Sequence, residues 1–326
     1  MTILVTGAAG FIGHHLSLSL LGQGERVTGI DNLNDYYDVS LKHARLSELQ
    51  SHDGFSFHQC DIADCKGMAE ILDSVPETTA IVHLAAQAGV RYSLVNPFAY
   101  QHSNLDGVMV LLEAARKLSG LKHFIFSSSS SVYGGLPTLP YKVTDNTDRP
   151  VSLYAATKKA GEAMCHSYAH LYGIPVTSLR FFTVYGPWGR PDMATFMFTK
   201  KILAGDVIDV FNDGKMRRDF TYVDDIVFGV TRCLASPPKA VDGSAPYAVY
   251  NLGNRRSEEL MDVVSIIERE VGRKAEINYK PIQPGDVIET YADITNATAD
   301  FGFEPKTNIA EGLPAFIRWY RGFYNV

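Results

Sequence analysis

The turn Gly7-Ala8-Ala9-Gly10-Phe11-Ile12-Gly13 follows the apolar run Ile3 to Thr6 and opens an apolar-periodic segment, Phe11 to Leu21. That order predicts strand, tight turn and helix. Missing β-carbons at such a turn let a pyrophosphate approach the backbone and the helix N-terminus. The next apolar run, Val27 to Ile30, ends in Asp31, 18 residues past Gly13. A carboxylate there accepts both hydroxyls of an adenosine ribose and repels a phosphate on the 2′ oxygen, so the expected dinucleotide is NAD and not NADP. Phe11 and Ile12 within the turn, and Asn32 beside Asp31, belong to the same expected cofactor site.

Further strand-like runs stand at Phe55 to Phe57, Ala80 to Leu84, His123 to Ser127 and Val176 to Phe181. Helical patterns lie between them near Gly67 to Leu72, from about Pro97 to Leu118, and around Tyr154. This alternation predicts an α/β fold, a doubly wound parallel sheet of Rossmann type covered on both faces. Open sheets of this kind bind ligands beyond the carboxyl ends of their strands. Asp61 and Ile62 after the third strand then fit an adenine edge, and Leu84-Ala85-Ala86 after the fourth lets a backbone pass beside the cofactor. After Phe182 glycine and proline become denser and strand signals become isolated, at Ile208 to Phe211, Val249 to Leu252 and Glu276 to Tyr279. Residues 1–182 are expected to form the NAD-binding domain. Residues 183–326 are expected to form mainly a smaller C-terminal α/β substrate lobe, with some segments returning to the first domain.

Composition narrows the partners. At 46% hydrophobic and 20% charged residues the chain reads as an ordinary globular protein. A net charge of −6 and the absence of any Lys/Arg-rich run argue against a nucleic-acid partner. No apolar stretch reaches the length of a membrane span and no basic leader opens the chain, which points to the cytoplasm. Cys60, Cys65, Cys165 and Cys233 are too scattered for a disulfide framework. His166 and His170 lack the third ligand of a zinc helix, so no metal is expected.

The chemistry is expected at Tyr154-Ala155-Ala156-Thr157-Lys158, just after a serine. Four residues apart in a helix, the phenol and the ammonium share a face. Five serines, Ser127 to Ser131, end the strand before it and should reach the same crevice. Bringing a phenol from a pKa near 10 to near 7 takes roughly 4 kcal/mol of preference for phenolate. Two nearby cations, Lys158 and an oxidised nicotinamide, would supply it and make Tyr154 a general base.

These features together resemble the extended short-chain dehydrogenase/reductase family in its nucleotide-sugar epimerase branch: the glycine turn, Asp31, the serine run before Val132-Tyr133-Gly134, and Tyr154 with Lys158. The similarity spans essentially the whole chain and includes Arg218 to Asp225 and Gln283-Pro284-Gly285-Asp286. It implies that Ser129 hydrogen-bonds the reacting oxygen, with Ser131 also a candidate. It also implies that the partner is a UDP-sugar, that Arg218 meets the diphosphate and that Asp286 holds the uridine ribose. A homodimer through the helices Pro97 to Leu118 and Ser152 to Tyr172 is implied as well. Gln283 departs from the arginine that many neutral-sugar epimerases carry there, which leaves Arg218 a larger share of the diphosphate.

Within the branch, three segments resemble the UDP-glucuronate 4-epimerases: Asp31 to Asp38, Ala88 to Ser93, and Arg180 to Met193. A uronate carboxylate matches a planar guanidinium with paired, charge-assisted hydrogen bonds. Arg91, Thr183 and Arg190 are the candidates for holding the sugar. The implied reaction is inversion at carbon 4, from UDP-glucuronate to UDP-galacturonate, through a bound 4-keto sugar. That intermediate is a β-keto acid, so Thr183 and Arg190 are also the candidates for restraining loss of carbon dioxide. The competing readings are a UDP-glucuronate decarboxylase, an epimerase of a neutral UDP-hexose, a sugar 4,6-dehydratase and a non-catalytic NAD-binding regulator. The dehydratase is disfavoured because Ser130 and Ser131 stand where it needs an Asp-Glu pair.

Overall fold

A computed structural model describes residues 1–326. In chain order the first elements are β1 (Thr2–Thr6), α1 (Phe11–Gly22), β2 (Arg26–Asp31), α2 (Val39–Gln50), β3 (Phe55–Gln59), α3 (Cys65–Ser74) and β4 (Thr78–His83). Next come α4 (Tyr92–Val95), α5 (Pro97–Gln101), α6 (Gly107–Ala115), β5 (His123–Ser129), α7 (Leu153–Tyr172) and β6 (Val176–Phe181). Then follow β7 (Thr183–Tyr185), α8 (Ala194–Ala204), β8 (Ile208–Phe211), β9 (Arg217–Arg218), β10 (Phe220–Tyr222) and α9 (Val223–Leu234). The last are β11 (Tyr247–Leu252), β12 (Glu258–Glu259), α10 (Leu260–Val271), β13 (Ile277–Lys280), α11 (Thr295–Phe301) and α12 (Ile309–Tyr324).

Seven strands form one parallel sheet in the order β11-β6-β5-β4-β1-β2-β3. Alternation along each strand feeds two cores, one per face. Ile3 and Val5 of β1 join the core beneath α1 and α9, whereas Leu4 joins the core beneath α3, α6 and α7. A third core, around Phe196, Ile208, Val263 and Phe316, packs α8, α10 and α12 with the parallel pair β8 and β13. Register puts Thr6 opposite Ile30 and His83, so the glycine turn, Asp31 and Leu84 leave the sheet at one level.

Two local features refine the expected elements. The run Pro97 to Leu118 is continuously helical from Pro97 to Ala115 but not α throughout, because a π-helical turn, His102–Asp106, joins α5 to α6. The wider turn swings Asn104 inward, where it accepts from the Gln87 amide at 2.8 Å and donates to the Gln87 carbonyl and the Thr157 hydroxyl at 3.0 Å each. Such bulges occur frequently at functional sites. The Val249 to Leu252 signal belongs to β11, which closes the main sheet beside β6.

A buried ion pair ties α7 to that sheet. Arg180 Nε and Nη2 donate to Glu162 Oε1 and Oε2 at 2.8 and 2.9 Å, and the Ser128 hydroxyl adds a third bond to Oε1 at 2.6 Å. Arg180 Nη1 reaches the Tyr133 hydroxyl at 3.0 Å, which in turn donates to Asn251 at 2.6 Å. Removing one member strands the other charge out of water. Glu162→Leu should therefore lower stability by about 3–5 kcal/mol, and a loss below about 1 kcal/mol on urea unfolding would show that Arg180 has found solvent.

Candidate functional site

The carboxyl edge of the sheet opens into a cleft of about 1320 Å³, part of it open to solvent. Its floor begins at Gly7, whose φ of +73° turns the chain, and whose β-carbon, if present, would stand 2.8 Å from the Ala85 amide nitrogen. A β-carbon on Gly13 would lie 2.1 Å from the Gly7 carbonyl oxygen, so the turn closes onto α1 only without one. No side chain caps the start of α1 at Gly10, which leaves its first amides facing the cleft. Asp31 is buried at the rim, accepting from the Ala9 amide at 3.2 Å and the Leu33 amide at 2.8 Å. Lys42 Nζ lies 3.9 Å from it, a neighbour that the spacing of the sequence does not reveal.

Gly7, Gly10, Phe11, Ile12, Gly13, Asp31, Asn32, Ile62, Leu84, Ala85, Ala86, Ser129, Tyr154, Lys158 and Arg190 all line this one cleft. Asp61 does not, because its carboxylate turns aside to Asn32, the Ala63 amide and His102. Thr183 pairs with Phe220 in a small parallel ladder, and its neighbours Phe182 and Val184 take the wall instead. Arg91, Arg218 and Asp286 gather outside the cleft. Arg91 donates to Asp286 at 3.0 Å and stacks over Phe211 at 4.2 Å, and the Arg218 guanidinium feels the charges of both.

Ser152 caps α7 by accepting from the Ala155 amide at 3.1 Å, which sets Tyr154 in the first turn and Lys158 one turn on. Of the two candidate serines, Ser129 faces the phenol and Ser131 stands behind it, its hydroxyl 3.1 Å from that of Ser129. The expected push toward phenolate is absent from the protein groups alone. Burial raises the Tyr154 phenol, outweighing the Ser129 hydroxyl and the Arg190 guanidinium, which both favour ionisation. Burial also pulls the Lys158 ammonium down to about 7, with Arg190 adding repulsion. Lys158 Nζ donates to the Ser127 carbonyl at 2.7 Å and lies 5.1 Å from the Phe126 ring centre. Among the protein groups, Arg190 adds a cation that favours the phenolate, one that the sequence expectation does not include.

Arg190 is itself clamped. Its Nε and Nη2 donate to Asp192 at 3.0 and 2.6 Å, and Tyr36 donates to the same carboxylate at 3.3 Å. Tyr36 and Asp192 lie within the segments Asp31 to Asp38 and Arg180 to Met193, and the two-residue spacing from Arg190 to Asp192 is the only signal of this clamp in the sequence. Tyr100 packs edge-on to Tyr154 with ring centres 6.0 Å apart.

The family model described as the NAD dependent epimerase/dehydratase family matches residues 3–253. Among relatives, UDP-glucuronate 4-epimerase 2 of Arabidopsis thaliana is 47% identical over 334 residues, covering 99% of this chain and 76% of the relative. Protein CapI of Staphylococcus aureus is 48% identical, covering 99% of each chain. Among solved structures, the UDP-glucuronic acid 4-epimerase from Bacillus cereus in complex with UDP-glucuronic acid and NAD superposes with a TM-score of 0.91 at 34% identity, over 99% of this chain and 100% of that one.

The Lys158 shift has a measurable sign. Between about 7 and the ordinary lysine value of 10.5 the unfolded chain holds a proton that the folded chain has released. Stability therefore rises with pH through that window. Urea unfolding from pH 7 to 9 should show the rise and Lys158→Met should flatten it; equal slopes would mean that Lys158 stays charged in the fold.

Proposed function

This chain belongs to the NAD dependent epimerase/dehydratase family, and we propose that its reaction is the interconversion of UDP-glucuronate and UDP-galacturonate by inversion at carbon 4. It is an NAD-dependent isomerase acting on a UDP-sugar. The observation that carries the uronate assignment is the Arg190 guanidinium, which lines the cleft close enough to act electrostatically on Tyr154. Asp192 occupies only its Nε and Nη2, leaving Nη1 with two N–H donors for a second carboxylate. The cleft residues fit NAD: uncapped amides at the start of α1, a turn too tight for β-carbons, and a buried carboxylate with lone pairs to spare.

NAD, when bound, supplies the acceptor and later the donor of the carbon 4 hydrogen, so no net redox change results. Tyr154 takes the proton of the carbon 4 hydroxyl and later returns it, with Ser129 hydrogen-bonding the same oxygen. Lys158 orders the serine strand end through Ser127 and shares its proton with the site near neutrality. The bound 4-keto sugar turns over before it is reduced on its other face. Arg190 holds the carboxylate away from alignment with the carbonyl π system, so carbon dioxide is retained. Arg218 meets the diphosphate of the ligand, with Asp286 on the uridine ribose and Arg91 and Thr183 on the side of the hexose. Residues 1–182, joined by α9 and β11, carry the cofactor, and most of the rest carries the nucleotide sugar.

Tyr154→Phe should lower turnover by about 10²–10⁴-fold while NAD affinity stays within a few-fold of the unaltered protein. Chromatography of the products from UDP-glucuronate checks both substrate and residue. A UDP-pentose as main product, or undiminished turnover by the variant, would refute the assignment.

A homodimer working in the cytoplasm completes the proposal. No helix is long and apolar enough to cross a membrane. All four cysteines are free, as suits a reducing compartment. α5, α6 and α7 expose Phe98, Met109, Leu171 and Tyr172, with Phe98 77% exposed, an apolar set that a partner copy would cover. Met109→Glu combined with Leu171→Glu should halve the mass found by sedimentation, and an unchanged mass would place any interface elsewhere.

A further inference from the structure

We propose that Arg45 is a positioning residue for the reaction, fixing the Trp188 to Asp192 loop, and through it Arg190, to the cofactor-side turn; this rests on the carboxylate role given to Arg190 above. Arg45 sits on α2 at 0% exposure and makes no ion pair. Its guanidinium meets neutral acceptors from three segments. Nη1 donates to the Ala9 carbonyl at 3.0 Å and the Tyr37 hydroxyl at 2.9 Å. Nη2 donates to the Trp188 carbonyl at 2.6 Å and the Gly189 carbonyl at 3.4 Å. A buried cation with no counter-charge is costly, and these bonds offset that cost while pinning the segments at one point.

Both ends of this strut matter to the site. Ala9 lies in the glycine turn, and its amide donates to Asp31 at 3.2 Å. Gly189 directly precedes Arg190. The loop needs holding, since Trp188 has a φ of +60° and Gly186 a φ of +146°. Non-glycine residues persist in the left-handed region only where their surroundings over-determine them. A second tether comes from α1, where His15 Nε2 lies 2.9 Å from the Pro187 carbonyl oxygen, and the Trp188 ring packs edge-on to His14 at 5.2 Å. No residue of the loop other than Asp192 fixes the Arg190 guanidinium directly, so the loop backbone sets where that guanidinium meets the sugar.

If Arg45 is lost, the carboxylate of the 4-keto sugar is no longer held out of alignment. The bond from carbon 5 to the carboxylate carbon then breaks as carbon dioxide leaves. Its electron pair enters the carbon 4 carbonyl to give an enolate, which takes a proton and becomes a 4-keto pentose. Loop loosening and product partition are therefore two readouts of one strut.

The chain has two tryptophans, so Trp319→Phe leaves Trp188 as the only indole. In that background, with NAD added, Arg45→Met should raise the acrylamide quenching constant of Trp188 at least about twofold, with Arg45→Lys between the two. With UDP-glucuronate, Arg45→Met in the otherwise unaltered chain should raise the ratio of carbon dioxide to epimer at least about threefold, yet add nothing in an Arg190→Ala background. Unchanged quenching overturns the proposal, and so does a full multiplicative effect in the Arg190→Ala background. Should Arg45→Met fail to fold, Arg45→Lys carries both readouts against the same outcomes. If the unaltered protein forms no epimer from UDP-glucuronate, the substrate assignment fails by itself, and the quenching comparison still decides whether Arg45 holds the loop.

Discussion

The Arg180–Glu162 pair fixes how closely α7 lies on the sheet, and the placement of the chemistry follows from that. The helix can approach because Gly161 has no side chain; a β-carbon there would stand 2.4 Å from the Phe126 ring. At that separation the guanidinium of β6 and the carboxylate of α7 meet in two parallel charge-assisted bonds, with the Ser128 hydroxyl completing the carboxylate's shell. Such a pair adds little net stability compared with an apolar filling of the same volume, but it accepts only one geometry. Through Tyr133 and Asn251 the same network reaches the 3₁₀ turn after β5 and the edge strand β11. Tyr154 and Lys158 stand on the preceding turns of α7 and inherit its position.

Burial at this depth has an electrical consequence. It raises the Tyr154 phenol and lowers the Lys158 ammonium to about 7, so near neutrality the phenol keeps its proton while the lysine is about half charged. A tyrosine that must give and take one proton is served by an environment in which the balance is tipped by charge that arrives with the cofactor and substrate. Arg190 contributes a standing cation, and Asp192 moderates it. Nearby His83, pulled down to about 3 by burial and by Lys158, stays neutral between Thr6 and the Phe126 ring.

Much of this was legible in the chain. The glycine spacing, Asp31 after the second strand and the alternation of strands with helices led to the parallel sheet, and Tyr154 with Lys158 led to a shared crevice with the serine run. The departures have local causes. The π-helical turn at His102–Asp106 leaves no trace in an apolar period, since it depends on Asn104 finding Gln87 and Thr157 across the fold. Asp61, just after the third strand, stands outside the cleft lining because its carboxylate accepts from Asn32 and lies beside His102. Thr183 and Val184 differ by one residue in a strand, and pleating sends them to opposite faces.

Residue order by itself determined the fold class and pointed to most of the residues that line the cleft. A turn without β-carbons, strand-length apolar runs and a phenol one helical turn from an ammonium are properties of neighbours in sequence, where covalent geometry fixes distance. Only the tertiary structure decided which serine faces Tyr154, that Arg190 joins the cations around it, that Arg45 lies against the glycine turn and that Lys42 lies beside Asp31. Those outcomes depend on depth of burial and on approach between segments far apart in the chain. Desolvation scales with the whole surrounding fold, and no local spacing encodes it.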